Sequence, residues 1–322
     1  MQSFPIEYSS LSASGLLQLC INNYNLSRNS TITFLKRGFN DTYLISSASK
    51  KSILRVYKHN WRSIESIQSE IELLNYLNIH NVSVAFPIMD TLQNSIQPID
   101  APEGIRYAVL FSYAEGVAVK KMTPEQAYLL GAETGKIHTL MQGFTVKCTA
   151  HDYDVHSQFK IILATLQPIL INHTLEYNLL LQLRNKFVAV FEATDKSQLQ
   201  IGICHGDLQS ENFHITAENK FTFFDFDFFG KGHLVYDIAV FAWYDHKNKP
   251  TEIINAFIQG YKTQHTISDT EIALIPWFSA LRALFQMRLF CEISDGKQLP
   301  LWPAQQVANF LHKVEKWINE KT

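Results

Sequence analysis

The sequence has few cysteines, and their spacing excludes two classes of small stabilised domain. Four cysteines occur among the 322 residues, and no two of them form a Cys-x-x-Cys pair: Cys20, Cys148, Cys204 and Cys291. Isolated cysteines of this kind indicate neither a disulfide framework nor a zinc knuckle. A chain of this length can bury enough surface to fold without such a crosslink.

An excess of charge of one sign is also missing. The 28 Lys and Arg residues nearly balance the 30 Asp and Glu residues, and the formal net charge is −2 at pH 7. Bulk charge therefore gives no reason to expect nucleic acid or an anionic membrane surface as a partner. If the protein handles phosphate groups, a few local cations must bind them.

Long apolar runs are absent as well. No run approaches the roughly 18 residues of a membrane-spanning helix. The first ten residues lack the basic stretch and apolar core of a secretory signal. We therefore expect a cytoplasmic protein with no membrane partner.

The composition is typical of a globular protein. Hydrophobic residues make up 46% of the chain and charged residues 18%, which excludes a disordered polymer. At about 150 residues per domain, the length suggests two domains.

The first third of the chain has the pattern of short strands with one helix. Three β-branched and aromatic runs are separated by turn-forming residues, and they lie at 31–37, 41–47 and 51–58. This pattern is typical of an antiparallel meander. Apolar residues at three- and four-residue spacing predict a helix over 62–79, and residues 105–113 predict a further strand. We expect this α+β lobe to end near residue 112.

The remainder of the chain is predicted to be mostly helical. Thr123, Pro124 and Gln126 are the residue types of a capping box with proline in the first turn, so a helix should begin here and run to about Met141. Further helices are predicted at 154–170, 174–193, 234–245, 251–264, 270–293 and 304–319. The expected fold class is α+β, with a small antiparallel-sheet N-terminal lobe (1–112) and a larger helical C-terminal lobe (113–322).

One strand-like segment, 201–228, contains the residues that indicate chemistry. His205, Asp207 and Asn212 match the His-x-Asp-x-x-x-x-Asn pattern of kinase catalytic loops, and Asp225 follows 18 residues after Asp207. Asp207 suits the role of orienting an acceptor hydroxyl and accepting its proton. Asn212 and Asp225 offer hard oxygen ligands suited to Mg²⁺. His-Gly-Asp alone would also fit a tight turn, but the ordered set of three oxygen donors favours the catalytic interpretation.

Together with Gly232 and the segment Tyr236–Ala239, this block resembles the superfamily of aminoglycoside phosphotransferases, choline kinases and homoserine kinases. The bacterial stress-response kinase A type looks most similar. Weaker similarity lies at Leu54–Tyr57, Glu70–Leu74, Phe111–Gly116 and Gly135–His138. The resemblance thus spans roughly residues 31–320, and it implies a protein kinase-like fold with ATP and Mg²⁺ as cofactors.

The resemblance also implies roles in the larger lobe. Asp207 would be the catalytic base, and Asn212 and Asp225 would be metal ligands. Asp237 would support the catalytic loop by accepting hydrogen bonds from the backbone or from His205.

In the smaller lobe, the resemblance implies nucleotide contacts. Residues 111–114, including Phe111 and Tyr113, would form the interlobe connection whose backbone groups bind adenine. Glu70 would pair with the basic strand residue that holds the α- and β-phosphates.

Two features depart from the family pattern. The strand position expected to hold Lys is Arg55, and Lys58 lies on the other face of the same strand, so both remain candidates for the phosphate-binding cation. The phosphate-covering loop contains only Gly38 and no Gly-x-Gly-x-x-Gly, so phosphates would have to be capped by its backbone amides. An inactive pseudokinase is therefore an alternative, although the intact catalytic set argues against it.

Other polar residues have weaker patterns. His138 follows an apolar helical face and is expected to be a hydrogen-bonded interior residue. The candidates for lining an acceptor pocket are Trp243, Tyr244, Asp245 and Arg282, with packing or surface positions as the alternative.

The spacing of the acidic residues bears on the acceptor. Asp237 follows Asp225 by only 12 positions, which leaves no room for a peptide-binding activation segment. The leading hypothesis is an ATP- and Mg²⁺-dependent kinase that phosphorylates a hydroxyl of a small molecule such as an amino alcohol, a sugar or an aminoglycoside. The absence of an acidic cluster counts against a cationic aminoglycoside. A Ser/Thr protein kinase of the stress-response type is the alternative.

Overall fold

The computed structural model describes residues 4, 6–48, 50–119, 121–149, 151–243, 250–294 and 304–321. It divides the chain into two compact units. The first consists of Met1–Val117, Phe144–Ala150 and His214–Phe224, and the second of Ala118–Gly143, His151–Phe213 and Asp225–Thr322. The lobe boundary near residue 112 stays a prediction. No sequence pattern predicts that the chain returns to the first unit in two short segments, 144–150 and 214–224.

The first unit is built on a five-stranded sheet. Its elements are helix α1 (Ala13–Tyr24), strands β1 (Thr31–Arg37), β2 (Asn40–Ser46) and β3 (Lys51–Tyr57), helix α2 (Ile64–Ile79), and strands β4 (Gln97–Ala101) and β5 (Gly104–Ser112). All strand pairs are antiparallel, in the order β1-β2-β3-β5-β4. The predicted meander, helix and strand are confirmed to within two residues at each end, whereas α1 and β4 were not predicted.

The side chains of strand β3 alternate between a face in the hydrophobic core and a polar face. Leu54 and Val56 are fully buried and belong to one hydrophobic cluster with Leu16 and Cys20 of α1. Because successive side chains of a strand point to opposite faces, Arg55 lies on the face away from this cluster. The sheet thus buries its apolar side under α1 and presents Arg55 on the other side.

Two small sheets and seven of the described α-helices follow. Strands β6 (Val117–Ala118), β9 (Phe213–Ile215) and β10 (Phe221–Phe223) pair in the order β10-β9-β6, and β7 (His151–Asp152), β8 (Ile201–Cys204) and β11 (Gly230–His233) pair in the order β7-β11-β8. The second unit contains helices α3 (Pro124–Met141), α4 (Val155–Ile169), α5 (Thr174–Ala193), α6 (Val235–Ala242), α7 (Thr251–Tyr261) and α8 (Asp269–Ser294). It also contains helix α9 (Ala304–Lys321). These elements confirm the α+β fold class. In the part of the chain that the structure describes, no helix combines the length and apolar character needed to cross a membrane.

Helix α3 begins with the predicted capping box. The Thr123 hydroxyl oxygen accepts a hydrogen bond from the backbone N–H of Gln126 (3.2 Å), and Gln126 Oε1 accepts one from the backbone N–H of Thr123 (3.1 Å). Two of the helix-end N–H groups are satisfied in this way. The sequence prediction for this helix start is confirmed.

Replacement of Thr123 by alanine is expected to destabilise the second unit by about 1 kcal/mol, because one N–H group of the first turn loses its acceptor. Urea unfolding of the full chain, followed by circular dichroism, measures this change. The matched control is Thr123→Ser, which keeps the oxygen and should retain most of the stability. Equal losses in both variants would contradict the capping account.

Helix α3 packs closely along α7. A Cβ atom at Gly131 would overlap the backbone carbonyl of Phe257 in α7, so only glycine permits this approach of the two backbones. The approach brings His138 of α3 next to Tyr261 of α7, with His138 Nδ1 2.8 Å from the tyrosine hydroxyl oxygen. The packing of these two helices thereby positions a histidine that contacts the candidate active site.

Candidate active site

A buried carboxylate fixes the start of the predicted catalytic loop. Asp237 lies in the first turn of α6 and is 1% exposed. Its two oxygens accept hydrogen bonds from the backbone N–H groups of His205 (2.7 Å) and Gly206 (2.8 Å). The predicted role of Asp237 as a support for this loop is confirmed.

His138 binds the same carboxylate. Its Nε2 lies 3.0 Å from Asp237 Oδ2, and it donates because an ionised carboxylate only accepts. Burial by itself raises the pKa of Asp237. The net pKa nevertheless lies below its ordinary value, because His138 donates a hydrogen bond to the carboxylate and attracts it electrostatically. The attraction of His205 and the hydrogen bond from the Gly206 N–H lower this pKa further. The expectation of a hydrogen-bonded interior histidine at position 138 is confirmed.

Gly206 allows the chain to turn towards Asp207. Its φ is +81°, a conformation that residues with a Cβ rarely adopt. A Cβ atom here would also overlap the carbonyl oxygen of Phe228 and the hydroxyl of Tyr153, which are hydrogen-bonded to each other. Both the backbone conformation and the space therefore require glycine between His205 and Asp207.

Three side chains hold the Asp207 carboxylate. Asn212 Nδ2 donates to Oδ2 (2.7 Å) and to the backbone carbonyl of Asp207 (2.9 Å), and Gln209 Nε2 also donates to Oδ2 (3.0 Å). Arg282 of α8 donates to Oδ1 through Nη2 and forms an ion pair with it. Since each carboxylate oxygen can accept about two hydrogen bonds, Oδ1 is the oxygen with capacity for one more.

Opposing effects set the pKa of Asp207. Burial raises this pKa most, and the nearby Asp225 raises it further, whereas Arg282, His205 and the hydrogen bond from Asn212 lower it. The result is a pKa above the ordinary value for aspartate. A carboxylate with a raised pKa is a better proton acceptor, which suits a general base.

Asp225 has a left-handed backbone conformation immediately before a 3₁₀ turn (Phe226–Phe228). Its φ and ψ are 66° and 55°, which costs roughly 1–2 kcal/mol for a residue with a side chain. The Phe226 ring lies 4.2 Å from the His205 imidazole, measured between ring centroids, which packs the turn against the catalytic loop. This strained turn places the half-buried Asp225 side chain within electrostatic range of Asp207.

The donor set fits a cation that is shared with a phosphorylated ligand. Asn212 uses its amide nitrogen to hold Asp207, and its carbonyl oxygen makes no hydrogen bond to the described residues. Asp225 adds a half-exposed carboxylate. Over the described ranges, no group of three His, Cys, Asp or Glu side chains could hold a metal on its own. Mg²⁺ is typically bound by one or two protein carboxylates together with substrate phosphates and water, so Asn212 and Asp225 suit that ion.

The first unit brings together Arg55, Glu70 and Phe111. Arg55 Nη1 lies 3.6 Å from Glu70 Oε1, and the guanidinium carbon lies 5.5 Å from the centroid of the Phe111 ring. Phe111 pairs with Ile53 in the sheet and is buried. The strand cation that meets Glu70 is therefore Arg55.

The remaining predicted nucleotide contacts have different surroundings. Tyr113 follows β5, and Lys51 Nζ lies 5.2 Å from the centroid of its ring. Gly38 lies between β1 and β2 with open space where a Cβ atom would be, so sterics alone do not require glycine there. Lys58 follows β3, and its backbone N–H donates to Asn40 Oδ1 (3.4 Å).

Of the four candidate pocket residues, two lie within the described chain. Trp243 is buried and packs edge-on against Trp317 of α9, with ring centroids 4.7 Å apart, which favours a packing role. Arg282 instead contacts Asp207 directly, a pairing that sequence reasoning missed. Tyr244 and Asp245 lie outside the described residues.

A profile of the phosphotransferase enzyme family matches residues 31–271 of the chain. The chain belongs to this family. It is 33% identical over 265 residues to an uncharacterised protein of Synechocystis, covering 81% of this chain and 73% of that protein. It is 23% identical over 261 residues to a homoserine kinase of Neisseria meningitidis serogroup B, covering 80% of this chain and 81% of the kinase.

Solved structures confirm the protein kinase-like fold. An amicoumacin kinase in complex with AMP-PNP, Ca²⁺ and its ligand superposes with a TM-score of 0.75 at 21% identity, over 96% of this chain and 94% of that chain. A microcompartment-associated aminopropanol kinase gives a TM-score of 0.75 at 19% identity, over 96% and 98%. Family membership confirms the resemblance read from the 205–239 block, and the chain is a phosphotransferase. The likeness to stress-response kinase A stays a prediction.

Proposed function

We propose that this phosphotransferase is an ATP- and Mg²⁺-dependent kinase that transfers the γ-phosphate to a hydroxyl of a small molecule. The observation that carries the proposal is the arrangement around Asp207. Its carboxylate is fixed by Gln209, Asn212 and Arg282, with capacity for one further hydrogen bond at Oδ1. That oxygen would accept the hydrogen bond, and then the proton, of the attacking hydroxyl.

In the proposed reaction the acceptor oxygen forms a bond to the γ-phosphorus while the bond from that phosphorus to the β,γ-bridging oxygen breaks. The hydroxyl proton passes to Asp207 Oδ1, and ADP leaves with the bridging oxygen. Asp207 thereby orients the nucleophile and removes its proton. A Mg²⁺ ion held by Asn212 and Asp225 would neutralise charge on the phosphate oxygens. Arg55, supported by Glu70, would bind the α- and β-phosphates.

Two features support a small acceptor. The residues between Asp225 and Asp237 are taken up by the 3₁₀ turn, strand β11 and the start of α6, which leaves no extended segment for a peptide to bind. In addition, two similar proteins are named for small acceptors that carry both an amino group and a hydroxyl, homoserine and aminopropanol. We therefore propose an amino alcohol as the acceptor class.

Incubation of the full chain with MgATP and a panel of metabolites, followed by mass spectrometry, tests the proposal. The panel should contain homoserine, 1-amino-2-propanol, choline, simple sugars, spectinomycin and a generic acceptor protein. We expect ADP together with one phosphorylated small molecule. Labelling of the protein acceptor alone would favour a protein kinase, and MgATP binding without any product would favour a pseudokinase. Either outcome would contradict the proposal.

A further inference from the structure

Arg282 places a buried positive charge on the Asp207 oxygen that would take the acceptor proton. It lies on helix α8 and is 5% exposed, and its Nη2 donates to Asp207 Oδ1. Gln209 and Asn212 donate to the other oxygen, Oδ2. An acceptor hydroxyl that donates to Oδ1 therefore shares this oxygen with the Arg282 guanidinium group.

Two donors on one carboxylate oxygen lie close together. With two hydrogen bonds of about 2.8 Å that approach along separate lone pairs, the acceptor hydroxyl oxygen would lie about 5 Å from Arg282 Nη2. At this separation in a buried site, opposite charges attract and like charges repel strongly. Any charged group within a few bonds of the acceptor hydroxyl therefore lies beside a fixed cation.

The guanidinium group has donors beyond the one that Asp207 uses. An arginine side chain carries five N–H groups. The Tyr236 hydroxyl lies beside the Arg282 group, whose charge lowers the tyrosine pKa against the larger effect of burial. Neither that hydroxyl nor Arg282 Nη1 makes a hydrogen bond of normal geometry to a described residue, although both atoms are buried. Such unsatisfied donors are costly, and a ligand oxygen beside them would remove that cost.

The next arginine of helix α8 is balanced in a different way. Arg288 Nη1 donates to both carboxylate oxygens of Glu292 (2.9 and 3.1 Å), a residue that takes no part in the proposed reaction. Within the described chain, Arg282 forms its ion pair with Asp207. In the proposed reaction Asp207 takes up a proton and loses its negative charge. The Arg282 charge then lacks this partner, and an anionic group on the acceptor would balance it.

We propose that Arg282 is a specificity-determining residue that binds a carboxylate of the acceptor, so that the acceptor is a hydroxy amino acid. The inference rests on the proposed function, since it requires that a small molecule presents its hydroxyl to Asp207. It adds the chemical group that the molecule carries near that hydroxyl. A carboxylate suits Arg282 because it can accept two hydrogen bonds from one guanidinium group.

A role of Arg282 that is confined to Asp207 has a different signature. If Arg282 only orients the Asp207 carboxylate, its loss slows transfer to every acceptor by the same factor. If it also binds the acceptor, its loss removes the preference for acceptors that carry a carboxylate. The ratio of kcat/KM between two acceptors that differ only in the carboxylate separates these roles, because an effect on Asp207 cancels from the ratio.

Steady-state kinetics of the full chain with MgATP and three matched pairs of acceptors measure this ratio. The pairs are serine and ethanolamine, threonine and 1-amino-2-propanol, and homoserine and 3-amino-1-propanol, and the second member of each lacks only the carboxylate. In the pair that is phosphorylated, we expect the wild type to favour the amino acid about tenfold or more in kcat/KM, the equivalent of one charge-assisted hydrogen bond. In Arg282→Gln this preference should fall below about threefold, whatever the change in kcat.

Two further variants serve as comparisons. Arg282→Lys keeps the charge but not the fork of donors, and it should retain part of the preference. The control is Arg184→Gln, which removes an arginine of helix α5 whose Nη1 donates to the neighbouring Asn185 (3.0 Å). This variant should keep both the rate and the preference of the wild type.

The outcomes separate the inference from the proposed function. Phosphorylation of carboxylate-free acceptors alone, or an unchanged ratio in Arg282→Gln, would overturn the inference and leave the proposed function intact. Absence of any phosphorylated small molecule would overturn both. Should Arg282→Gln fail to fold, inhibition of the wild type and of Arg282→Lys decides the point. We expect 2-aminobutyrate, which is homoserine without its hydroxyl, to compete with the acceptor more strongly than propylamine does, and equal or reversed inhibition would contradict the inference.

Discussion

Replacement of Asp207 by asparagine is expected to lower the rate of phosphoryl transfer about 10³-fold, within the usual range for loss of a general base. An amide of the same shape still fills the space, but it cannot accept the hydroxyl proton. MgATP affinity should change less than threefold, because the proposed role of Asp207 concerns the acceptor and not the nucleotide. Single-turnover transfer to the acceptor identified by the metabolite screen measures the first effect, and calorimetry measures the second.

The control for this experiment is Asp195→Asn. Asp195 lies in an exposed turn of the same unit, where it accepts hydrogen bonds from Ser197, and an asparagine can keep that role. This variant should transfer phosphate at the rate of the wild type. A loss of only a few fold in Asp207→Asn, with MgATP binding retained, would show that Asp207 is not the base.

Replacement of Asp237 by asparagine is expected to have the largest effect on stability, about 3 kcal/mol. The Asp237 carboxylate accepts hydrogen bonds from His205 N–H, Gly206 N–H and His138 Nε2. An asparagine would present an N–H₂ group to one or more of these donors, which would leave them buried without an acceptor. Urea unfolding measures the free-energy change, and the transfer rate should fall as well, because the catalytic loop loses its support.

The stability difference between the wild type and Asp237→Asn should depend on pH. The pKa of Asp237 is lowered in the folded protein, so the ionised group contributes stability that is fully present above the unfolded-state pKa of about 3.9. This contribution is lost as the pH falls through the folded-state pKa. The two proteins should therefore differ most between pH 5 and 8 and converge as the pH is lowered below about 4. A difference that stays constant down to pH 3 would contradict the assigned role of the charge.

The local part of the site could be predicted from sequence. His205, Asp207 and Asn212 lie within one loop, so their spacing alone places them together, and Asp225 follows within the same strand-like segment. The capping box at Thr123 was equally readable, since its two hydrogen bonds join residues three positions apart. Such features depend on short stretches of chain, where residue type and spacing determine geometry.

The long-range part of the site could not be predicted. Arg282 reaches Asp207 across 75 positions, and His138 reaches Asp237 across 99. Nothing in the sequence near either residue indicates the partner, because the contact results from the packing of α8 and of α3 in the folded unit.

Two elements of the first unit also lacked a clear signal. Strand β4 contains Pro98 and Asp100, residue types that are rare in strands. The proline is tolerated because β4 lies at the edge of the sheet. Helix α1 buries only Leu16, Cys20 and Tyr24, so its apolar stripe is narrow and includes a cysteine and a tyrosine.

Anomalous scattering from Mn²⁺ in crystals grown with AMP-PNP tests the central claim most directly, namely that Asn212 and Asp225 hold the divalent cation of a nucleotide beside Asp207. We predict a manganese peak at roughly 2.0–2.6 Å, the range of hard-cation bonds to oxygen, from Asn212 Oδ1 and an Asp225 carboxylate oxygen. The same ion should contact phosphate oxygens of the nucleotide. A bound nucleotide whose manganese is held by neither residue would contradict the account.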